Sequence, residues 1–255
     1  MAGHGDLITL GLKMAFQERG CPICRLRAQA EHRYMLSLLR EHVNDGATRQ
    51  HIIPALGFCP THAWYLQRLE ATHWQDGLGM GIIYEDLLKR TRAGLDAYIE
   101  ERRSRQAQEP RWRQRLRIFW HRLFGGAHST SFPVGMAPSA PCRVCTIGAE
   151  NETTHLIWLV KHIKDQEFSR LYARSDGLCL PHLRRALHLA EETAPEAAVL
   201  LAEDARKRTD ILLAHLQEYI RKHGWQHRHE TKRAQEEESW IRAVAFYAGE
   251  NPPSR

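Results

Sequence analysis

The stretch GFCPTH, residues 57–62, has a near copy in GLCLPH, residues 177–182. Each sets a cysteine and a histidine three positions apart, just after a glycine. Each also follows a CxxC pair: Cys21-Pro22-Ile23-Cys24 lies upstream of the first, and Cys142-Arg143-Val144-Cys145 upstream of the second. The intervals from CxxC to CxxH are 34 and 33 residues, and the elements recur at offsets of 121 and 120. The two sets use all six cysteines of the chain. Other pieces recur in step. Glu85-Asp86, with Lys89-Arg90-Thr91 after it, returns as Glu203-Asp204 with Lys207-Arg208-Thr209, and Leu38-Leu39-Arg40 returns as Leu159-Val160-Lys161. Self-similarity at a fixed offset is the mark of an internal repeat.

Three thiolates and one imidazole are a preferred donor set for zinc and close a tetrahedral shell. CxxC is short enough for both sulfurs to reach one ion. Cys and His three apart at the start of a helix share a face, so CxxH supplies the other two donors. The positive end of the helix dipole favours thiolate at Cys59 and Cys179, and Gly57 and Gly177 suit a tight turn into the helix. The expected ligands are Cys21, Cys24, Cys59, His62, Cys142, Cys145, Cys179 and His182, with two Zn²⁺ per chain. An iron–sulfur cluster is the alternative cofactor. Short separation favours each half closing its own site, Cys21/Cys24 with Cys59/His62 and Cys142/Cys145 with Cys179/His182. An exchanged arrangement, with Cys21/Cys24 joined to Cys179/His182, has the same ligand count. Four protein donors leave no open position, so both sites read as structural.

The fold expected around these motifs is all-α: an internally duplicated helical protein with two pseudo-symmetric halves, each pinned by a Cys3His site. Apolar residues at helical spacing follow each CxxC, namely Leu26, Tyr34, Met35, Leu38 and Leu39 in one half and Leu156, Leu159, Val160 and Ile163 in the other. Polar turns follow at Asn44-Asp45-Gly46 and Ser175-Asp176-Gly177. Pro60 and Pro181 fit the first turns of helices opened by CxxH. Long helices are expected over about 80–104 and 195–222, with a further helix over about 230–247. The expected organisation is a first repeat at 1–104, a basic helix and linker at 105–140, a second repeat at 141–225, and a C-terminal helix and tail at 226–255.

Composition narrows the class. The 255 residues are 43% hydrophobic and 26% charged, an ordinary globular balance. No apolar run is long enough for a membrane span, and the opening MAGHGDLITLGLKMAF lacks the features of a signal peptide. A cytoplasmic location, with a peripheral place at the inner membrane surface as an option, is therefore expected, and six cysteines there suggest metal before disulfide. The order GCPIC, helix, GFCxxH, then CxVC, helix, GLCLPH resembles a group of uncharacterised bacterial proteins classed as a domain of unknown function. The likeness covers roughly residues 19–220. It implies a duplicated, helical, metal-binding protein and implies no activity. The segment at 100–140 departs from that pattern.

Residues 100–125 hold eight arginines against three glutamates, which accounts for +5 of the formal net charge of +6. Within that segment Trp112, Leu116, Phe119 and Leu123 take one helical face, widened by Trp120, while Arg111, Arg113, Arg115, Arg117 and Arg122 take most of the other. Three readings fit residues 105–126: a connecting helix docked on the protein's own core, an amphipathic helix at an anionic membrane, or a contact with nucleic acid or an acidic protein groove. The histidines at 32, 42, 155 and 162, and the cluster His223, His227 and His229, read as solvated or hydrogen-bonded groups. Gly77, Gly79 and Gly81 read as a loop opening a helix, because no strand precedes them. No Walker A, HExxH or GxSxG motif is present. The functional expectation is a non-enzymatic, zinc-stabilised scaffold that binds a partner. Two alternatives stand beside it: a redox or metal sensor built on zinc thiolates, and an enzyme using acids such as Glu31 or Glu152 in a cleft between the halves.

Overall fold

The structure is a computed structural model that describes residues 4–108 and 135–250, and among these residues it is helical without strands. In chain order the helices are α1 (His4–Ala15), α2 (Pro22–Ser37), α3 (Gly46–Ile52), α4 (Pro60–His73), α5 (Leu78–Gln108), α6 (Arg143–His162), α7 (Gln166–Arg174), α8 (Leu180–Thr193), α9 (Pro195–Arg221), α10 (Ala234–Glu237) and α11 (Ser239–Ala248). A π-helical turn, Leu38–His42, continues α2. The all-α reading stands. The basic segment, with Arg111, Trp112, Arg113, Arg115, Arg117, Trp120 and Arg122, lies outside the described residues.

The chain forms two compact units, Met1–Arg33 with Ile147–Arg255, and Tyr34–Thr146. The unit boundaries fall within α2 and α6. In the first unit Leu12, Ile23, Leu156, Leu159 and Leu201 are wholly excluded from water. Each such side chain contributes roughly 1.5–3 kcal/mol of transfer free energy. Phe16 closes one end of this core, edge-on to Phe168 and Tyr172 with ring centroids 5.1 and 5.6 Å away. The core of the second unit is Met35, Leu38, Ile52, Phe58, Leu66, Leu69, Ile83, Leu87 and Val144.

Local chemistry sets the helix starts. Asp45 caps α3, its carboxylate accepting the Thr48 N–H at 2.7 Å. Glu70, buried at the end of α4, accepts from the N–H groups of Gly79 and Met80 at 2.5 and 2.9 Å and so caps α5. A β-carbon on Gly79 would stand 2.8 Å from that carboxylate, which explains the glycine there. The short helices α3 and α7 follow or precede the polar turns at 44–46 and 175–177, and the sequence periodicity does not announce either of them.

Two of the i,i+4 pairs of the acidic-basic motifs differ in exposure. Glu85–Lys89 is an exposed pair at 2.8 Å. Arg208, by contrast, is largely covered. It pairs with Asp204 through both Nε (2.6 Å) and Nη2 (3.0 Å), and donates to the carbonyls of Tyr172, Ala173 and Ser175. It therefore ties α9 to the turn that leads into Cys179.

Candidate metal centres

All four cysteine motifs sit at helix starts. Cys59 and Cys179 are the residues just before α4 and α8, with nearly the same backbone conformation (φ −63°, ψ 159° and φ −67°, ψ 160°). Their carbonyls accept the first intrahelical bonds, from Ala63 and Leu183, each at 2.8 Å. Gly57 and Gly177 precede them with φ of 95° and 76°, in the left-handed region that glycine adopts without strain. Cys21 and Cys142 stand just before α2 and α6, their carbonyls accepting from Arg25 and Thr146 at 3.2 and 3.1 Å. Helix N-termini carry partial positive charge, so each site places its sulfurs where thiolate is stabilised.

The eight residues gather into two groups, Cys21, Cys24, Cys179 and His182, and Cys59, His62, Cys142 and Cys145, with the donor atoms of each group within 4.8 Å of one another. The expectation that each half closes its own site is overturned in favour of the exchanged pairing. The CxxC of the first half meets the CxxH of the second, and the CxxC of the second meets the CxxH of the first. Chain separation is a weak guide here. Loop closure grows only with the logarithm of length, so reaching 155 residues along the chain instead of 35 costs about 1 kcal/mol more.

The spacing within each group fits one tetrahedral ion. Bonds of about 2.3 Å to sulfur and 2.0–2.1 Å to nitrogen imply tetrahedron edges of about 3.8 Å between sulfurs and about 3.5 Å between sulfur and nitrogen. In the first group Cys24 Sγ and Cys179 Sγ are 3.7 Å apart, and His182 Nδ1 lies 3.4, 3.4 and 3.0 Å from the sulfurs of Cys21, Cys24 and Cys179. In the second, Cys59 Sγ and Cys145 Sγ are 3.6 Å apart, and His62 Nδ1 lies 3.1, 3.7 and 3.3 Å from Cys59, Cys142 and Cys145. Both histidines present Nδ1 to the sulfurs.

The thiols of each group differ in how readily they ionise. Hydrogen bonds from Cys179 and Cys24 draw Cys21 far below the usual thiol range, and hydrogen bonding to Cys179 and Cys21 pushes Cys24 up. In the second group burial opposes ionisation of Cys142, but His62 and the N–H groups of Cys145, Cys59 and Val144 bring it down to about 6. Burial and the neighbouring Cys142 push Cys145 up to about 12. A divalent cation relieves this crowding by replacing protons as the common partner of the sulfurs.

Glu152 completes the surroundings of the first group. Its Oε1 lies 2.9 Å from His182 Nε2, the ring nitrogen turned away from the sulfurs. Arg27 donates to its other oxygen at 2.9 Å, and Arg185 also pairs with it. Burial opposes the charge, yet His182, Arg185 and Arg27 hold the carboxyl below the usual carboxylate range. Burial lowers His182, but Cys179, Cys21 and then this carboxylate raise it to about 11. Glu152 is thus engaged by cations on both oxygens and is a support for His182. Glu31 is buried too, with Arg27 Nε donating to it at 3.0 Å. Sequence reasoning placed Glu152 and Glu31 only as candidate catalytic acids. Their shared position, ten residues after the first cysteine of each CxxC, was the available signal of a structural role.

Four of the other histidines read from the sequence make local bonds. His155 Nδ1 meets the Asn151 carbonyl at 2.8 Å, His162 meets Asp165 at 2.7 Å, His223 meets the Tyr219 carbonyl at 2.6 Å and His227 meets Glu230 at 2.9 Å. Among the described residues no helix is long and apolar enough to cross a membrane.

A family model described as a family of unknown function (DUF6062) matches residues 4–252, a span that includes the basic segment. A protein of Caldicellulosiruptor sp. (strain Rt8B.4), named an uncharacterized 23.9 kDa protein in the xynA 3' region, is 24% identical over 236 residues, covering 92% of this chain and 97% of that protein. No solved structure matches. The resemblance carried by the paired CxxC and GxCxxH motifs therefore has its counterpart in a match along nearly the whole chain, and the protein belongs to the family of unknown function DUF6062.

Proposed function

We propose that this protein is a zinc-stabilised helical scaffold in which two closed Cys3His centres fix helix starts, and that it acts by binding a partner. One observation carries the reading: four protein donors per group converge at the edge lengths of a tetrahedron around one ion. An iron–sulfur cluster interposes several iron and sulfide atoms and needs its cysteines spread around it, so donors this close favour a single ion over a cluster. Zinc fits the mixed sulfur and nitrogen set, and a filled shell leaves no position for substrate. Binding of this kind contributes on the order of 10 kcal/mol to folding.

The scaffold is read as a duplication, with repeats at 1–104 and 141–225 whose CxxC motifs are exchanged. The matching lengths of α4 and α8, 14 residues each, and the matching glycine turns support this. The arginine-rich segment at 105–126 is proposed to meet an anionic partner, nucleic acid or membrane surface, in the cytoplasm. Elemental analysis of untagged protein tests the metal assignment. Two zinc ions per chain, with loss of helical circular dichroism on chelation, are expected. A brown protein holding iron and sulfide instead would overturn it.

A further inference from the structure

The C-terminal helix α11 ends at Gly249, whose φ of 78° turns the chain back over the first metal centre. The next residue, Glu250, donates its backbone N–H to Cys24 Sγ at 3.4 Å across 226 positions of sequence. A β-carbon at Gly249 would stand 3.4 Å from Cys24 Sγ and 3.8 Å from Cys179 Sγ, so the bare face of this glycine looks onto the Cys24–Cys179 edge of the donor set. The Glu250 carboxyl lies beside Gly20 and Cys21, where burial raises it above the usual carboxylate range. It occupies the space that a side chain on Gly20 would need, and Gly20 itself has φ of 91°. Glu250 thus meets the CxxC turn through its backbone N–H at Cys24 and fills the space beside Gly20 with its side chain. Ala245 and Phe246 of α11 wall a cavity of about 100 Å³ whose other side is formed by Cys21 and Cys179.

The two centres differ in cover. In the first, Cys21 and Cys179 are buried and only Cys24 is partly exposed, and Cys24 is the sulfur that the Gly249–Glu250 turn touches. In the second, Cys59, Cys142 and Cys145 are all partly exposed. A chelator or acceptor protein removes zinc by adding its own donor as a protein sulfur leaves, so it must reach a face or edge of the tetrahedron.

We propose that the Gly249–Glu250 turn is a strap that closes the Cys21/Cys24/Cys179/His182 centre against metal exchange and leaves the Cys59/His62/Cys142/Cys145 centre as the exchangeable one. This rests on the zinc assignment made above. It divides the labour between the sites: one ion is a permanent part of the fold, and the other is open to transfer to a competing metal acceptor.

The test is the rate of zinc release from the full-length, zinc-loaded chain to the chromogenic chelator 4-(2-pyridylazo)resorcinol. Two phases of one ion each are expected, with Cys59→Ser abolishing the fast phase. Removing residues 249–255 should speed the slow phase by roughly tenfold or more, the scale of support lost around a metal centre, and leave the fast phase unchanged. Glu250→Ala keeps the backbone N–H and loses the carboxyl beside Gly20, so it should speed the slow phase less, with no change in helical content. Removing only 251–255 should change nothing. The strap is overturned if both variants leave the slow phase as it was, if the two ions leave at one rate, or if loss of 251–255 alone reproduces the full effect. Total release below one ion per chain would instead overturn the zinc assignment itself.

Discussion

His182 Nε2 lies 2.9 Å from Glu152 Oε1, so the imidazole that faces three sulfurs through Nδ1 is braced from behind by a buried carboxylate. Such a partner fixes the ring orientation and makes the nitrogen donor more basic. Glu152→Ala removes the brace and leaves Arg27 and Arg185 without their shared acceptor. Zinc affinity at the first centre should fall by roughly 10–100-fold, with the second centre unaffected. Glu152→Gln keeps an acceptor oxygen and should lose less. Competition titration against a chelator of known affinity measures both. Equal affinity in Glu152→Ala and the parent protein would show that the brace is not used.

Gly148, inside α6, supports the same network from another side. A β-carbon there would collide with the Glu31 carboxylate and stand 3.1 Å from Arg27 Nε. On a free helix, Gly→Ala stabilises by about 1 kcal/mol. Here Glu31 is buried and bonded, so the substitution should reverse sign and cost about 1–3 kcal/mol, the usual scale of overpacking. Thermal unfolding of Gly148→Ala decides it: a melting temperature below the parent is expected, and one above it contradicts the packing.

Arg208 is the tie between α9 and the turn at 175–177. Its guanidinium reaches Asp204 with two nitrogens and three backbone carbonyls besides. A lysine keeps the charge but not the planar fork. Arg208→Lys should lower the melting temperature and raise amide exchange at Asp176–Leu178. Unchanged exchange at that turn would show that Arg208 is not its tie.

Lys222 Nζ and Glu236 Oε2 form a buried pair at 2.7 Å behind α10. Lys222, with help from the Arg233 N–H, holds the Glu236 carboxyl below the usual carboxylate range. A carboxyl lowered on folding contributes stability that is fully present above its unfolded pKa, about 4.3. That stability is lost as the pH falls through the lower folded value. Glu236→Gln should therefore melt below the parent protein at pH 7, and the gap should close on acidification past the carboxylate range. A gap that stays constant with pH would mean that the charge of Glu236 contributes nothing.

Much of this molecule is legible in its sequence, because the relevant chemistry is local. CxxC and CxxH at helix starts, Gly57 and Gly177 in the turns, and Pro60 and Pro181 in the first helical turn all follow from bond geometry within a few residues. The pairing of the motifs is not local. Choosing between a partner about 35 residues away and one about 155 away rests on about 1 kcal/mol of loop entropy, a small term beside a metal centre worth on the order of 10 kcal/mol. In the structure each pairing lies within one compact unit, Cys21/Cys24 with Cys179/His182 and Cys59/His62 with Cys142/Cys145. Glu152, Arg208 and Glu250 escaped for the same reason: their partners, His182, the Ser175 carbonyl and Cys24, lie 30, 33 and 226 positions away.

The exchanged pairing of the CxxC and CxxH motifs is tested most directly by mapping thiol protection in a single-ligand variant. Cys142→Ser is loaded with zinc, briefly alkylated with iodoacetamide, and its cysteines are read by mass spectrometry. Cys59 and Cys145 should become labelled while Cys21, Cys24 and Cys179 stay protected, because Cys142 shares its centre with Cys59, His62 and Cys145. Labelling of Cys179 with protection of Cys59 would contradict the exchange and restore a site in which each CxxC pairs with the CxxH that follows it.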